Sequence, residues 1–345
     1  MSADISTIPL IQHPKPNPAW LSQRPEEDVL DPELPIVDPH HHFYQLPDYV
    51  YLLNDFISDL KSGHNVVATI YLQAYWGYRL NGPEHMKPLG ETERAVAMAL
   101  EAERLNAPAK VGAGIVAYAE LTLGREVEQI LAAQAETAHG RLRGIRNITA
   151  RDPNFLASIS TPPAFGVMGS DAFRAGFAQL EKFNLSFDAW VYHPQIDEVT
   201  DLARAFPQTP IVLNHLGGPL GVGPYRGRRD EVFAEWHGKM KRLATCPNVC
   251  VKLGGLGMTL SGFDFNKRAM PLPSEELAKA WGPYVLAVIE AFGADRCMFE
   301  SNFPPDKNTC SYVTIWNAFK RISARASIEE KRAMFHDTAA RFYRL

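Results

Sequence analysis

Cysteine is scarce in this chain. Four thiols in 345 residues (Cys246, Cys250, Cys297 and Cys310) are too few to staple a disulfide-built scaffold. Cys246 and Cys250 flank the start of a strand-like run, where small core residues are the expected reading and metal ligation is the alternative. A basic excess is also missing: the formal net charge of -4 argues against a nucleic-acid partner, which calls for a positive patch or stripe. No apolar run approaches the roughly 18 residues that a membrane span needs. The first residues lack a basic segment leading into an apolar stretch, so no signal peptide is expected, and a reducing cytoplasm is the expected compartment. No Gly-rich dinucleotide fingerprint follows the first strand, which disfavours a doubly wound nucleotide-binding sheet.

What is there resembles the composition of an ordinary globular enzyme, 46% hydrophobic and 21% charged. Residues 1–33 carry six prolines (Pro9, Pro14, Pro16, Pro18, Pro25 and Pro32) without sustained periodicity, and read as an extended arm on the domain or partly as disordered chain. Residues 34–345 repeat one theme. Strand-like runs fall at Leu34–His40, Asn65–Leu72, Lys110–Ala117 and Arg141–Thr149, then at Leu185–Tyr192, Pro210–His215, Asn248–Leu253 and Arg296–Ser301. Helical stretches between them include Glu91–Asn106, Leu123–Ala138, Asp171–Phe183, Ile196–Phe206, Asp230–Ala244 and Ser274–Phe292. Eight alternating units predict an α/β fold, a single-domain (β/α)8 TIM barrel, which takes roughly 250 residues. The strand-to-helix connections are long and the helix-to-strand ones short, as when one end of the barrel builds a site. Ser327-Ile328-Glu329-Glu330 forms a capping box that opens a last helix to about Arg341, expected on the barrel exterior.

The chemistry-bearing residues collect at strand ends. In Asp38-Pro39-His40-His41-His42, alternation turns His40 and His42 to one face, where two imidazoles can hold a metal or polarise a carbonyl, while His41 points away. His215 ends the sixth strand before a Gly-rich bend, and His193 ends the fifth, either as a ligand or as a hydrogen-bonded rim residue. Near the end, Glu300 and Asn302 share a face; Asn302 cannot take a proton from water, so Glu300 or Asp306 must serve where a carboxylate base is needed. Asp306, beyond two prolines, is the favoured base. Gln73, Arg146 and Lys252 are candidate substrate-holding groups, with Arg146 suited to a carboxylate. Trp76, Tyr78 and the aromatic loop 263–265 are candidates to roof a flat ligand.

Asp-x-His-x-His on the first strand, His-Leu-Gly after a later one, and Phe-x-Ser-Asn-Phe-Pro near the end resemble the amidohydrolase-related family. That branch of the amidohydrolase superfamily includes 2-pyrone-4,6-dicarboxylate and sugar-acid lactonases. The resemblance runs from about Leu34 to Leu345 and implies that His40, His42 and His215 are its active-site histidines. Asn302 departs from it, standing where the pattern usually has the aspartate that activates water. No counterpart of the bridging lysine of binuclear relatives occurs on the fourth strand, so at most one divalent ion, zinc or manganese, is expected, with metal-independent action an open alternative. The leading expectation is hydrolysis of a lactone, or another cyclic ester or amide, of a small carboxylated substrate. A non-oxidative decarboxylase and a non-catalytic ligand-binding barrel are the alternatives. Exteriors of such barrels often pair, which leaves a homodimer open.

Overall fold

The computed structural model describes residues 9–11, 14–157 and 162–345. Within them eight parallel strands form one sheet: β1 (Ile36–His41), β2 (Val66–Leu72), β3 (Lys110–Ala117), β4 (Leu142–Ile145), β5 (Ser186–Ala189), β6 (Ile211–Leu213), β7 (Val249–Leu253) and β8 (Cys297–Phe299). Strand order follows chain order. Just beyond β8 the edges meet: Asn302 donates its backbone N–H to His40 O (3.0 Å), and His42 donates to Phe303 O (2.8 Å). Those bonds close the barrel between its first and last strands.

One helix follows each strand: α1 (Leu53–Leu60), α2 (Leu89–Arg104), α3 (Val127–Thr137), α4 (Asp171–Phe177), α5 (Ile196–Ala205), α6 (Arg229–Ala244), α7 (Ser274–Phe292) and α8 (Tyr312–Ile322). The alternation of a strand explains the two-layered core. On β3, Val111 and Ile115 face the helices, whereas Val116 joins Val37, Ile70, Val212 and Met298 inside the barrel. The expected (β/α)8 TIM barrel is therefore present. The α1 and α8 helices are not among the helical stretches expected, although each has an apolar and a polar side; on α8 the polar side is Thr314, Asn317, Lys320 and Arg321.

One outcome differs in part from expectation. The capping box forms, with Ser327 Oγ accepting from Glu330 N (3.2 Å), and the segment it opens starts on the outer wall, where Phe335 packs on Phe299 and Trp316. Its end turns under the barrel, where Ala339 and Tyr343 pack with the inward side chains and plug the end opposite the mouth. The arm lies on the barrel. Its turn Pro18–Leu21 is capped by Asn17, Trp20 Nε1 donates to Arg268 O (2.9 Å), and Leu10–Ile11 adds a short parallel strand to Leu156–Ala157 in the β4–α4 loop. The described part of the arm thus runs across the mouth of the barrel.

Candidate active site

Two imidazoles from the end of β1 meet inside the barrel. A register shift between Asp38 and His41 lets His40 and His42 share the interior, with their Nε2 atoms 3.2 Å apart. His41 faces outward, stacked on Phe56 with its ring centroid 4.2 Å away, and burial pushes its pKa down to about 3. His42 donates Nδ1–H to Leu72 O (2.8 Å), so its Nε2 carries the lone pair.

Glu300 organises the other side. Its Oε1 accepts from the His215 backbone N–H (3.2 Å) and lies 2.7 Å from His215 Nδ1, while Oε2 lies 2.7 Å from His40 Nδ1. One fully buried carboxyl therefore bridges two imidazoles. Glycines make room for it: a Cβ on Gly254 would meet Glu300 Cγ at 2.4 Å, and one on Gly255 would meet His215 Cβ at 2.5 Å. His215 itself has a left-handed backbone (φ 54), a conformation costly for a residue with a Cβ, of order 1–3 kcal/mol, and sustained here by the bonds to Glu300.

Burial dominates the electrostatics. It holds His40, His42 and His215 well below the usual imidazole range, helped by Lys252 and Arg146, so all three are neutral at neutral pH. It raises Glu300 to about 8, with Lys252 and the His215 N–H partly opposing.

Arg146, just past β4, places Nη1 3.2 Å from His40 Nε2 and donates through Nη2 to Gln73 O, so its fork is partly engaged. Asn302 donates Nδ2–H to Asp306 Oδ1 (3.2 Å), and its buried Oδ1 has no partner. A cavity of about 270 Å³ opens above this group, with His42, His215, Arg146 and Asn302 at its floor.

Several expected site residues lie elsewhere. Asp306 is behind Asn302, held by that amide and by Gly257 N–H (3.4 Å), and does not line the cavity. Lys252 is one layer deeper, ion-paired to Asp188 (2.7 Å) and donating to Pro39 O (2.9 Å), so it braces the barrel interior rather than meeting a ligand. Gln73 is buried beside Arg146 and outside the cavity wall. Trp76 points into the core and donates to Tyr71 OH (2.6 Å), while Phe263 and Phe265 pack on the α7 residues Tyr284 and Trp281; neither group roofs the cavity. Tyr78 borders a neighbouring cleft with Tyr118. His193 stands apart, its Nδ1 accepting from Leu220 N (3.3 Å) and its ring against Tyr225. Tyr192 and Trp190 are the cavity-facing aromatics of that segment, and the Trp190 ring meets His215 edge-on at 4.6 Å. Alternation along β5 carries the signal that finds it, since Asp188 and Trp190 share the inner face.

The donor set fits one divalent ion. Two imidazole nitrogens on a tetrahedral ion at roughly 2.0–2.1 Å stand about 3.3 Å apart, close to the separation of His40 and His42 Nε2, and the unpartnered Asn302 Oδ1 faces the same cavity. His40, His215 and Glu300 also bring potential ligand atoms within 4.8 Å of one another. We read Glu300 as the orienting carboxylate, because 2.7 Å from each Nδ1 is a hydrogen-bond distance. Among the described residues no helix is long and apolar enough to cross a membrane.

A family model described as amidohydrolase matches residues 37–345. The uncharacterized protein y4mH of Sinorhizobium fredii is 33% identical over 335 residues, covering 91% of this chain and 99% of that protein. L-fucono-1,5-lactonase of Burkholderia multivorans is 26% identical over 323 residues, covering 90% of this chain and 96% of the lactonase. A crystal structure of an amidohydrolase from B. multivorans with bound zinc superposes with a TM-score of 0.69 at 24% identity, covering 90% of this chain and 99% of that one. At that identity it speaks for the fold.

Proposed function

The chain belongs to the amidohydrolase family, and we propose that it hydrolyses a lactone, or another cyclic ester or amide, of a small carboxylated substrate at the barrel mouth. The observation that carries this is the Glu300-bridged pair of neutral histidines beneath a cavity that also holds His42 and Arg146. The likeness to L-fucono-1,5-lactonase supports a lactone as the bond cleaved.

His215 is the proton acceptor in this proposal. Its Nδ1–H is held by Glu300, which leaves Nε2 free to take a proton from an attacking water. Glu300 stabilises the imidazolium that results. Asn302 cannot act as a base, but its free Oδ1 can accept a hydrogen bond from that water and aim it. The water oxygen bonds to the carbonyl carbon and the oxyanion forms beside Arg146, whose guanidinium also stands ready for a substrate carboxylate. As the ring C–O bond breaks, His215 returns its proton to the leaving oxygen. A divalent ion held by His40 and His42, zinc or manganese, would supply Lewis-acid polarisation of the carbonyl and a more acidic water.

A pH-stat assay over a lactone panel tests the reading. Acid release without carbon dioxide is expected, carbon dioxide release would point to decarboxylation, and saturable binding with no product would sink catalysis. A cytoplasmic location and a homodimer belong to the same proposal. The four free thiols support the first, and the second rests on the general tendency of soluble chains to pair, read by light scattering.

A further inference from the structure

Above its polar floor the cavity changes character. Ile148, Trp190, Tyr192, Met258 and Leu260 form one wall, and they belong to a single apolar cluster that also takes in Ile11 of the arm. Among the described residues no carboxylate, serine, threonine or glutamine lines the cavity, and Asn302 is its only amide. Above the floor the polar side-chain atoms of the described lining are the hydroxyls of Tyr44, Tyr49, Tyr75 and Tyr192 and the Lys15 ammonium, which is paired with Asp48.

The ceiling comes from the start of the chain. Pro14, Lys15 and Pro16 line the cavity, tied across the mouth by the Lys15–Asp48 ion pair and by the pairing of Leu10–Ile11 with Leu156–Ala157. All of these strap residues precede the part of the chain, 37–345, that the family model matches. The strap therefore lies outside the matched barrel and lines its cavity.

We propose that the pocket takes a lactone with an apolar body, an aryl-fused or alkyl-substituted ring carrying at most one anionic group. Strap residues 14–16 complete the wall that selects it against polyhydroxylated lactones. This rests on the hydrolytic reading for the lactone itself; the polarity of the cavity stands apart from it. A polyol ring brings several adjacent hydroxyls, each needing a donor and an acceptor once water is excluded, and carboxylates and amides normally supply them. Here the described lining offers no carboxylate and only the single amide of Asn302. An apolar ring, by contrast, buries carbon against Trp190, Met258 and Leu260, and its single anion meets the only cation at the floor, Arg146. The volume, about 270 Å³, lies at the small end of ligand cavities, roughly 300–1,000 Å³, which suits one or two rings.

Calorimetry on the full chain tests this with two ring-opened acids, 3-(2-hydroxyphenyl)propanoate and L-fuconate. The aryl acid is expected to bind at least tenfold more tightly. Equal or tighter binding of L-fuconate, or no binding of the aryl acid, overturns the proposal. Pro16→Asn on the exposed strap is expected to weaken the aryl acid at least threefold, and an unchanged preference overturns the strap's part in it. Met258→Gln is expected to narrow the preference, with its melting point checked; the wild-type comparison decides the matter even where that variant fails to fold. Turnover of the parent lactones is read separately. Tight aryl-acid binding with neither lactone opened would leave this inference standing and refute the hydrolytic one.

Discussion

Glu300→Gln probes the centre of the site with almost no change of shape. Glu300 presents two oxygens, one to His215 Nδ1 and N–H, the other to His40 Nδ1. A carboxamide has one acceptor and one donor, so whichever way it turns, one imidazole must abandon its Nδ1–H and carry the proton on Nε2. With the amide oxygen toward His215 the loss falls on His40, and with it toward His40 the loss falls on His215. Either outcome removes a lone pair from the floor of the cavity, and both remove the carboxyl that stabilises an imidazolium once it is ionised. The expected loss is about 10²-fold or more in kcat/KM, on the order of 2.7 kcal/mol, within the range for general-base catalysis. Stability should move little, by about 1–2 kcal/mol, because a buried hydrogen-bonding group replaces another of equal size. Acid release from the preferred lactone and a thermal melt measure the two effects. Asp306→Asn is the comparison and is expected to cost less than about tenfold, because that carboxyl lies behind Asn302. Full turnover by a folded Glu300→Gln protein would refute the bridged-histidine mechanism, and a larger loss in Asp306→Asn would return the base to Asp306.

Arg146→Lys should lower kcat/KM by about tenfold or more, on the order of 1.4 kcal/mol, because a point charge cannot span Gln73 O, His40 and an anion together; unchanged kinetics on a carboxylated substrate would reduce it to a structural brace. Asn302→Asp should preserve or raise hydrolysis, and a fall of more than about tenfold would mean that the amide is itself required. Protein purified without chelator should hold one equivalent of zinc or manganese by elemental analysis, and two equivalents surviving dialysis would reveal an overlooked bridging ligand. Burial raises Glu91 to about 7 from its ordinary 4.5, so the folded state binds that proton more tightly than the unfolded one. The stability it contributes is complete below about pH 4.5 and is lost as pH climbs to about 7. Denaturant unfolding at pH 5 and pH 8 should show wild type losing on the order of 3 kcal/mol more than Glu91→Gln, and parallel losses would refute the assignment.

The barrel was legible because its signal is repeated. Each of the eight strand-like runs overlaps an observed strand, and the end-to-end asymmetry of the loops marked the mouth correctly. Strand ends were overextended where the chain leaves the ladder: β4 stops at Ile145 rather than Thr149, and β6 at Leu213, two residues before His215. The histidine is carried instead on a left-handed turn, which alternation cannot foresee. Depth was the harder quantity. Alternation puts Glu300 one layer below Asn302, where burial favours its protonated form, and Asp306 was preferred to it as the base. His40 and His215 turn their Nδ1 edges inward to Glu300, which brings the lower layer into the site. Trp76 and the 263–265 loop failed as a roof for a different reason, since loops of this length choose their own direction and both found core partners.

Lys252 exposes the same question of depth from below. Its ammonium lies 3.3 Å from His40 Nδ1, yet it is fixed by Asp188 Oδ1, which in turn accepts from Tyr343 OH at 3.0 Å. Tyr343 comes from the segment that plugs the far end of the barrel, two residues from the last one. A buried ammonium with one carboxylate partner is held in place only while that carboxylate keeps its own bonds, since an unpaired charge in such a setting is strongly destabilising. The hydroxyl of Tyr343 therefore bears on where Lys252 rests, and Lys252 bears on how strongly His40 and Glu300 hold their protons, because its charge is among the influences that lower both. The segment that the capping box opens thus ends by contributing, through two buried partners, to the electrostatics of the histidines at the opposite end.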